Sequence, residues 1–152
     1  MLDAHWFALR GENAKARQAF AEAVKRSVTI KDGRLNNTVA WWGTLDGSAD
    51  LVLPACDAGV REHLRLSGKP SVHDTRGVAL AYTGKLEEAA SEFMKYVESS
   101  KKYLEHSNKG PDFEAIRESF EPLLKKREKW VTELKAGRNP IDAQTLEALR
   151  YE

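Results

Sequence analysis

The chain of 152 residues has one cysteine, five prolines and no apolar run near the roughly 18 residues that span a bilayer. One cysteine excludes an internal disulfide and a structural zinc site, so neither staples the fold. It also fits a reducing compartment, and a cytoplasmic location is the expectation. Charge of one sign is not in excess either: 24 Lys and Arg stand against 23 Asp and Glu. A net charge of +1 gives no general pull toward nucleic acid or an anionic membrane. No basic start followed by an apolar stretch suggests a signal peptide. What remains is a length that fits one domain, residues 1–152, with a real core. Charged residues at 31% beside 41% hydrophobic fit a soluble helical protein.

Strand patterns are scarce, because Val, Ile and Thr rarely alternate with polar residues. Helical spacing is common instead. Ala16, Ala19, Phe20, Ala23 and Val24 form one stripe in 12–26. Val72, Thr75, Val78, Ala79 and Tyr82 form another in 71–83, and Leu86, Ala89, Ala90, Phe93, Met94 and Val97 a third in 86–98. Phe113, Ile116, Phe120, Leu123, Leu124, Val131 and Leu134 continue it over 112–135. Gly11, Gly33, Gly47, Gly68, Gly84, Gly110 and Gly137 fall between stripes, where helix ends tolerate positive φ. Ser48, Ser71 and Asp142 stand where N-caps belong. Pro54 is expected in the first turn or so of its helix, where a missing N–H does little harm. Pro122 predicts a kink or two abutting helices near Ser119 to Pro122. The pattern predicts about seven or eight helices, with the longest loops at 27–36 and 105–111.

An internal repeat underlies the stripes. Gly43 and Gly77 are 34 residues apart, and so are Ala55 and Ala89. Gly84, Ala89, Phe93 and Tyr96 follow Gly77 at offsets that Gly11, Ala16, Phe20 and Ala23 repeat near the N-terminus. On these residues, and on the stretch from Asp74 through Gly77 and Gly84 to Ala89, the chain resembles the tetratricopeptide repeat family. The resemblance implies an all-α fold: antiparallel helix pairs stacked as a short right-handed solenoid. Small residues at Gly77 and Ala89 would let paired helices approach closely, with Phe93 filling the space toward the next helix.

The match is good over 70–100 and moderate over 36–66, where Gly59 and Asp46 replace large apolar residues of the pattern. Over 1–30 only the second helix matches. That unit is expected to be cut short, as in a piece of a longer protein. Residues 112–152 fall outside the repeat and are expected to form a helical cap. Residues 36–150 resemble the repeat-plus-cap ends of bacterial multidomain signalling proteins.

Chemistry is sparse. His5, His63, His73 and His106 form no metalloprotease or zinc spacing, and no metal or other cofactor is expected. A metal shared by His63 and His73 is the minor alternative to solvated or helix-end histidines. Cys56, beside Ala55, reads as a small core residue rather than a nucleophile. Asp46 to Asp50 is dense in acids but lacks the spacing of a cation loop, so it reads as a capped turn. No Walker loop or nucleophile elbow appears, and the chain is not expected to be an enzyme. Lys125 to Trp130 could touch phosphate and stack a base. The acids of the same helix make a solvated face the better reading, with Trp130 in the core. Trp41 and Trp42 diverge by about 100° on a helix, so they cannot share a direction. The resemblance implies that Trp42 packs within the unit and Trp41 lies toward the concave side, the alternative being that packing between neighbouring units buries Trp41 too.

By the resemblance, the first helices of successive units line a groove for a peptide or partner helix. The positions facing it are Asn37, Ala40, Trp41 and Thr44, then Ser71, Asp74, Val78 and Tyr82. Some relatives clamp a C-terminal carboxylate. The clamp positions here hold Met1, His5, Trp41, Ser71 and Thr75, and none matches. The groove suits a peptide with an apolar anchor and a basic group opposite Asp74. It could instead be filled by the chain's own 101–135 segment or by a second copy. The leading expectation is a non-catalytic interaction or scaffold module with a protein or peptide partner. The alternatives are self-association and an α-helical enzyme with an unrecognised site.

Overall fold

A computed structural model describes residues 2–66, 71–106 and 111–152, with backbone alone at 2, 63–66, 111 and 112. The expectations at Met1, Gly68 and Gly110 lie outside the described residues, as does the side chain of His63. The described residues are all-helical, with eight helices and no strand. They are α1 (Leu2–Leu9), α2 (Asn13–Ile30), α3 (Gly33–Leu45), α4 (Ala49–Leu66), α5 (Ser71–Tyr82), α6 (Leu86–His106), α7 (Pro111–Lys135) and α8 (Ala143–Leu149). No described helix is long and apolar enough to cross a membrane.

Helix ends follow local chemistry. Gly11, Gly47, Gly84 and Gly137 all adopt positive φ after a helix, between +72° and +81°. Asp142 caps α8 by accepting from Thr145 N–H at 2.7 Å. Ser48 begins α4, since its carbonyl accepts from Leu51 and Val52 N–H, but its buried hydroxyl has no hydrogen-bond partner.

Four expectations are corrected. The loop expected over 27–36 shrinks to two residues, Lys31 and Asp32. Ser27 is 1% exposed and Val28 packs against the core, so burial carries α2 past the β-branched run. Lys31 then takes the left-handed conformation at φ +57°, and Asp32 caps α3 through Arg34 and Leu35 N–H. Gly33 is therefore helical, not punctuation. Pro54 lies six residues into α4 and Pro122 lies inside a single α7. Each removes one helical hydrogen bond, yet buried neighbours hold the helix: Val52, Ala55 and Cys56 around the first, Leu124 and Arg127 after the second. The N-terminal pair has a short first helix, α1, of eight residues, which packs on α2.

Helices pair in chain order: α3 packs on α4, α5 on α6, and α6 on α7. Helices of equal rank also touch, α2 with α4 and α3 with α5. Two main cores result. Phe20, Val39, Val52, Ala55, Cys56 and Ala79 build one. Val78, Leu80, Phe93, Trp130, Leu134 and Leu149 build the other, into which residues from α7 and α8 reach. The repeat glycines sit where helices cross. A Cβ on Gly77 would stand 2.8 Å from the Phe93 ring, and one on Gly43 would collide with Val52 and approach Phe20. Ala16, Ala55 and Ala89 are also fully inside. Met94 and Ile116, read as stripe residues, are instead exposed at 37% and 44%.

Candidate interaction face

α3 and α5 pack side by side, and the expected groove positions on them differ widely in exposure. Tyr82, at the end of α5, is exposed, and Asn37 is half-buried. Trp41 is partly buried and packs against the core cluster that holds Val78 and Phe93. Thr44 and Val78 have no exposed surface, and neither does Ala40. The Thr44 hydroxyl donates to the Ala40 carbonyl at 2.8 Å, a bond within its own helix. Only part of the expected lining is thus open to a partner.

The chain covers the rest itself. Arg127 of α7 is 3% exposed and grips Asp74 with both arms, Nε to Oδ1 at 2.8 Å and Nη2 to Oδ2 at 2.9 Å. Its third arm donates to Glu152 at 2.9 Å, and its guanidinium lies 4.4 Å from the Trp130 ring centre. Burial opposes the charge on Arg127, but the bonds to Asp74 and Glu152 outweigh it, so the guanidinium is held even more firmly protonated. Glu152 is held below the usual carboxylate range by Lys126 and Arg127, against the effect of its burial. The basic group anticipated opposite Asp74 is thus supplied from within, and Lys126 is committed to Glu152 as well.

After α7 the chain turns at Gly137, and residues 139–152 run back as a strap. Asn139 donates to the Ala81 carbonyl at 2.7 Å. Ile141, Leu146 and Leu149 enter the core cluster, and α8 touches α3. Arg150 donates to the Leu45 carbonyl at 2.7 Å and stands 2.8 Å from Asp46 Oδ1. His5 Nδ1 lies 2.8 Å from the other Asp46 oxygen, with its ring against Trp42. The cover thus comes both from Arg127, within the 101–135 stretch considered from sequence, and from the strap beyond it.

A second polar centre was not anticipated. Glu92 of α6 is 2% exposed and gathers three nitrogen-bearing partners. His73 Nδ1 lies 2.6 Å from Oε2, Lys95 donates at 2.7 Å, and Arg76 lies 3.0 Å away while also bonding Asp57. Burial pushes the carboxyl up, but His73, Lys95 and Arg76 prevail and hold it at about 2. Burial also pushes the neighbouring Cys56 thiol up to about 12, with Asp57 adding to the effect, so it stays protonated at neutral pH. Among the described residues, no group of three or more His, Cys, Asp or Glu is placed to hold a metal.

One sequence signal could have revealed each centre. Glu92 falls on the apolar face of α6, between Ala89 and Tyr96. Asp46 breaks the repeat pattern with an acid. Arg127, Asn139 and Arg150 carried no signal that their partners lay far along the chain. Comparison with protein-family models, curated proteins and solved structures finds no match to this chain.

Proposed function

We propose that this chain is a helical-repeat interaction module of tetratricopeptide type. The pairs α1/α2, α3/α4 and α5/α6 would be its stacked units, and α7 with α8 its cap. The observation that carries the reading is the repeat of Gly43 and Gly77, 34 residues apart, at two close helix crossings. The contact of α3 with α5 supports it, because stacked units align helices of equal rank into one face. Its partner is a protein or peptide with an apolar anchor, and its work is docking rather than catalysis.

Selection of peptides from a random library on the full chain tests this. Binders should emerge, and Tyr82→Ala with Asn37→Ala should remove their binding without changing the helical signal. Absence of any binder, or binders indifferent to both changes, would refute the reading. Trp41 is a poor choice for this test because it packs on the core.

Self-association is a second reading, favoured by one observation. Trp6, Leu9 and Ile30, on the N-terminal pair, are exposed at 58%, 63% and 62%. A light-scattering mass at micromolar concentration separates the two, since a monomer excludes stacking through that end.

A further inference from the structure

The strap over the α3–α5 face has the features of a bound ligand. Its helix, α8, has seven residues, too few to persist alone in water. It forms because the face takes up Leu146 and Leu149, three residues apart and thus on one side of the helix. Its polar anchors reach the ends of the two face-forming helices. Asn139 donates to the Ala81 carbonyl in the last turn of α5, and Arg150 to the Leu45 carbonyl that ends α3. Helix C-termini carry unpaired carbonyls and partial negative charge, so they favour donors and cations. Asp46 adds a full negative charge beside the second anchor, and its side chain has no exposed surface.

The attachment is incomplete in a telling way. Asp46 Oδ1 and Arg150 Nη1 are both buried without a hydrogen-bond partner, although Arg150 Nη2 stands 2.8 Å from that same oxygen. The charges pair at 2.8 Å, and Arg150 Nη1 is left as an unused buried donor beside them, so the anchor falls short of the two-armed grip that Arg127 has on Asp74. Its tether suits movement: Lys135 to Asn139 are exposed, and Gly137 makes the turn.

The geometry points to an exchangeable occupant: the α3–α5 face is a docking site for a short helix with leucines at i and i+3 followed by arginine, and residues 139–152 fill it until a partner segment of that chemistry displaces them. This rests on the interaction-module reading and adds the partner's chemistry and a self-blocking state. Because the strap is tethered, its high effective concentration would screen out weak ligands.

Two measurements on the full chain test it. In native-state hydrogen exchange, the Leu146 and Arg150 amides should exchange at least 100-fold faster than those of Val78 to Ala81. Equal protection would show the strap to be permanent core and overturn the proposal. In the second, a fluorescent synthetic peptide of residues 138–152 is titrated onto the full chain and onto an Arg150→Ala, Leu149→Ala variant. The variant should bind the peptide at least tenfold more tightly than the unaltered chain, and adding Asp46→Asn should reverse the gain. A folded variant that ignores the peptide, or one that loses its cooperative melting transition, overturns the exchange. If library peptides bind the face while the strap peptide does not, this inference fails and the interaction reading stands. If neither binds, both fail.

Discussion

Replacing Glu92 by Gln removes one charge from a site that holds Lys95, Arg76 and His73. The carboxylate is 2% exposed, so water cannot substitute for what it offers His73 and Arg76. Lys95 loses least, because about half of its side chain is in solvent and is screened there. The magnitude follows from two routes. Removing one partner of a buried ion pair costs about 3–5 kcal/mol. The fall of the carboxyl from 4.5 to about 2 corresponds, at about 1.4 kcal/mol per unit, to about 3 kcal/mol. A loss of about 3 kcal/mol lowers the melting temperature of a chain this size by about 6–12 °C. The pH dependence has a definite sign. Glu92 has a depressed folded-state value, so its stabilisation is complete above about pH 4.5 and lost as pH falls toward about 2. Calorimetric melts between pH 2.5 and 7 should therefore show the variant and the parent furthest apart at neutral pH and converging in acid. A neutral-pH difference under about 2 °C, or a constant gap at all pH values, would refute the account of Glu92 as a charge lock.

Other substitutions probe the remaining contacts. Gly77→Ala should destabilise by about 1 kcal/mol in urea unfolding: overpacking against Phe93 costs about 1–3 kcal/mol and helix propensity returns about 1. Adding Phe93→Leu should remove most of that penalty, and strict additivity would contradict the contact. Arg127→Met strands Asp74 and should cost about 3 kcal/mol, whereas Arg127→Met with Asp74→Leu should cost clearly less than the two single changes summed. Cys56, 2% exposed and with its thiol pushed up to about 12, should react with a thiol reagent at pH 8 only at the rate of unfolding. Immediate stoichiometric labelling of the native chain would show the site to be open.

The helical character was legible because helix stripes recur in 3s and 4s and glycines mark their ends. Gly43, Gly77, Ala55, Ala89, Phe20 and Phe93 stood out by their spacing, and the resemblance to the repeat family implied that such positions are helix contacts. The loop error at 27–36 arose because local propensity speaks against Val28, Thr29 and Ile30, while burial of Ser27 and the packing of Val28 carry the helix into them and leave Thr29 and Ile30 exposed. The face was harder. The resemblance placed Asn37, Trp41, Thr44, Asp74, Val78 and Tyr82 on first helices, but did not say which side neighbours would cover. Thr44 and Val78 turned inward, and Asp74 met Arg127, 53 residues away.

By itself, the sequence determined that this chain folds as helices, roughly where each begins and ends, and which small residues lie at the crossings. Those properties depend on interactions within a few residues and on a 34-residue period, both written along the chain. Only the tertiary structure decided which acid meets which base, and that the C-terminal strap closes the α3–α5 face. Such pairings join residues up to 105 apart, as Arg150 does to Leu45. They follow from how helices cross and from which charged groups must find partners once buried, and a linear pattern carries neither.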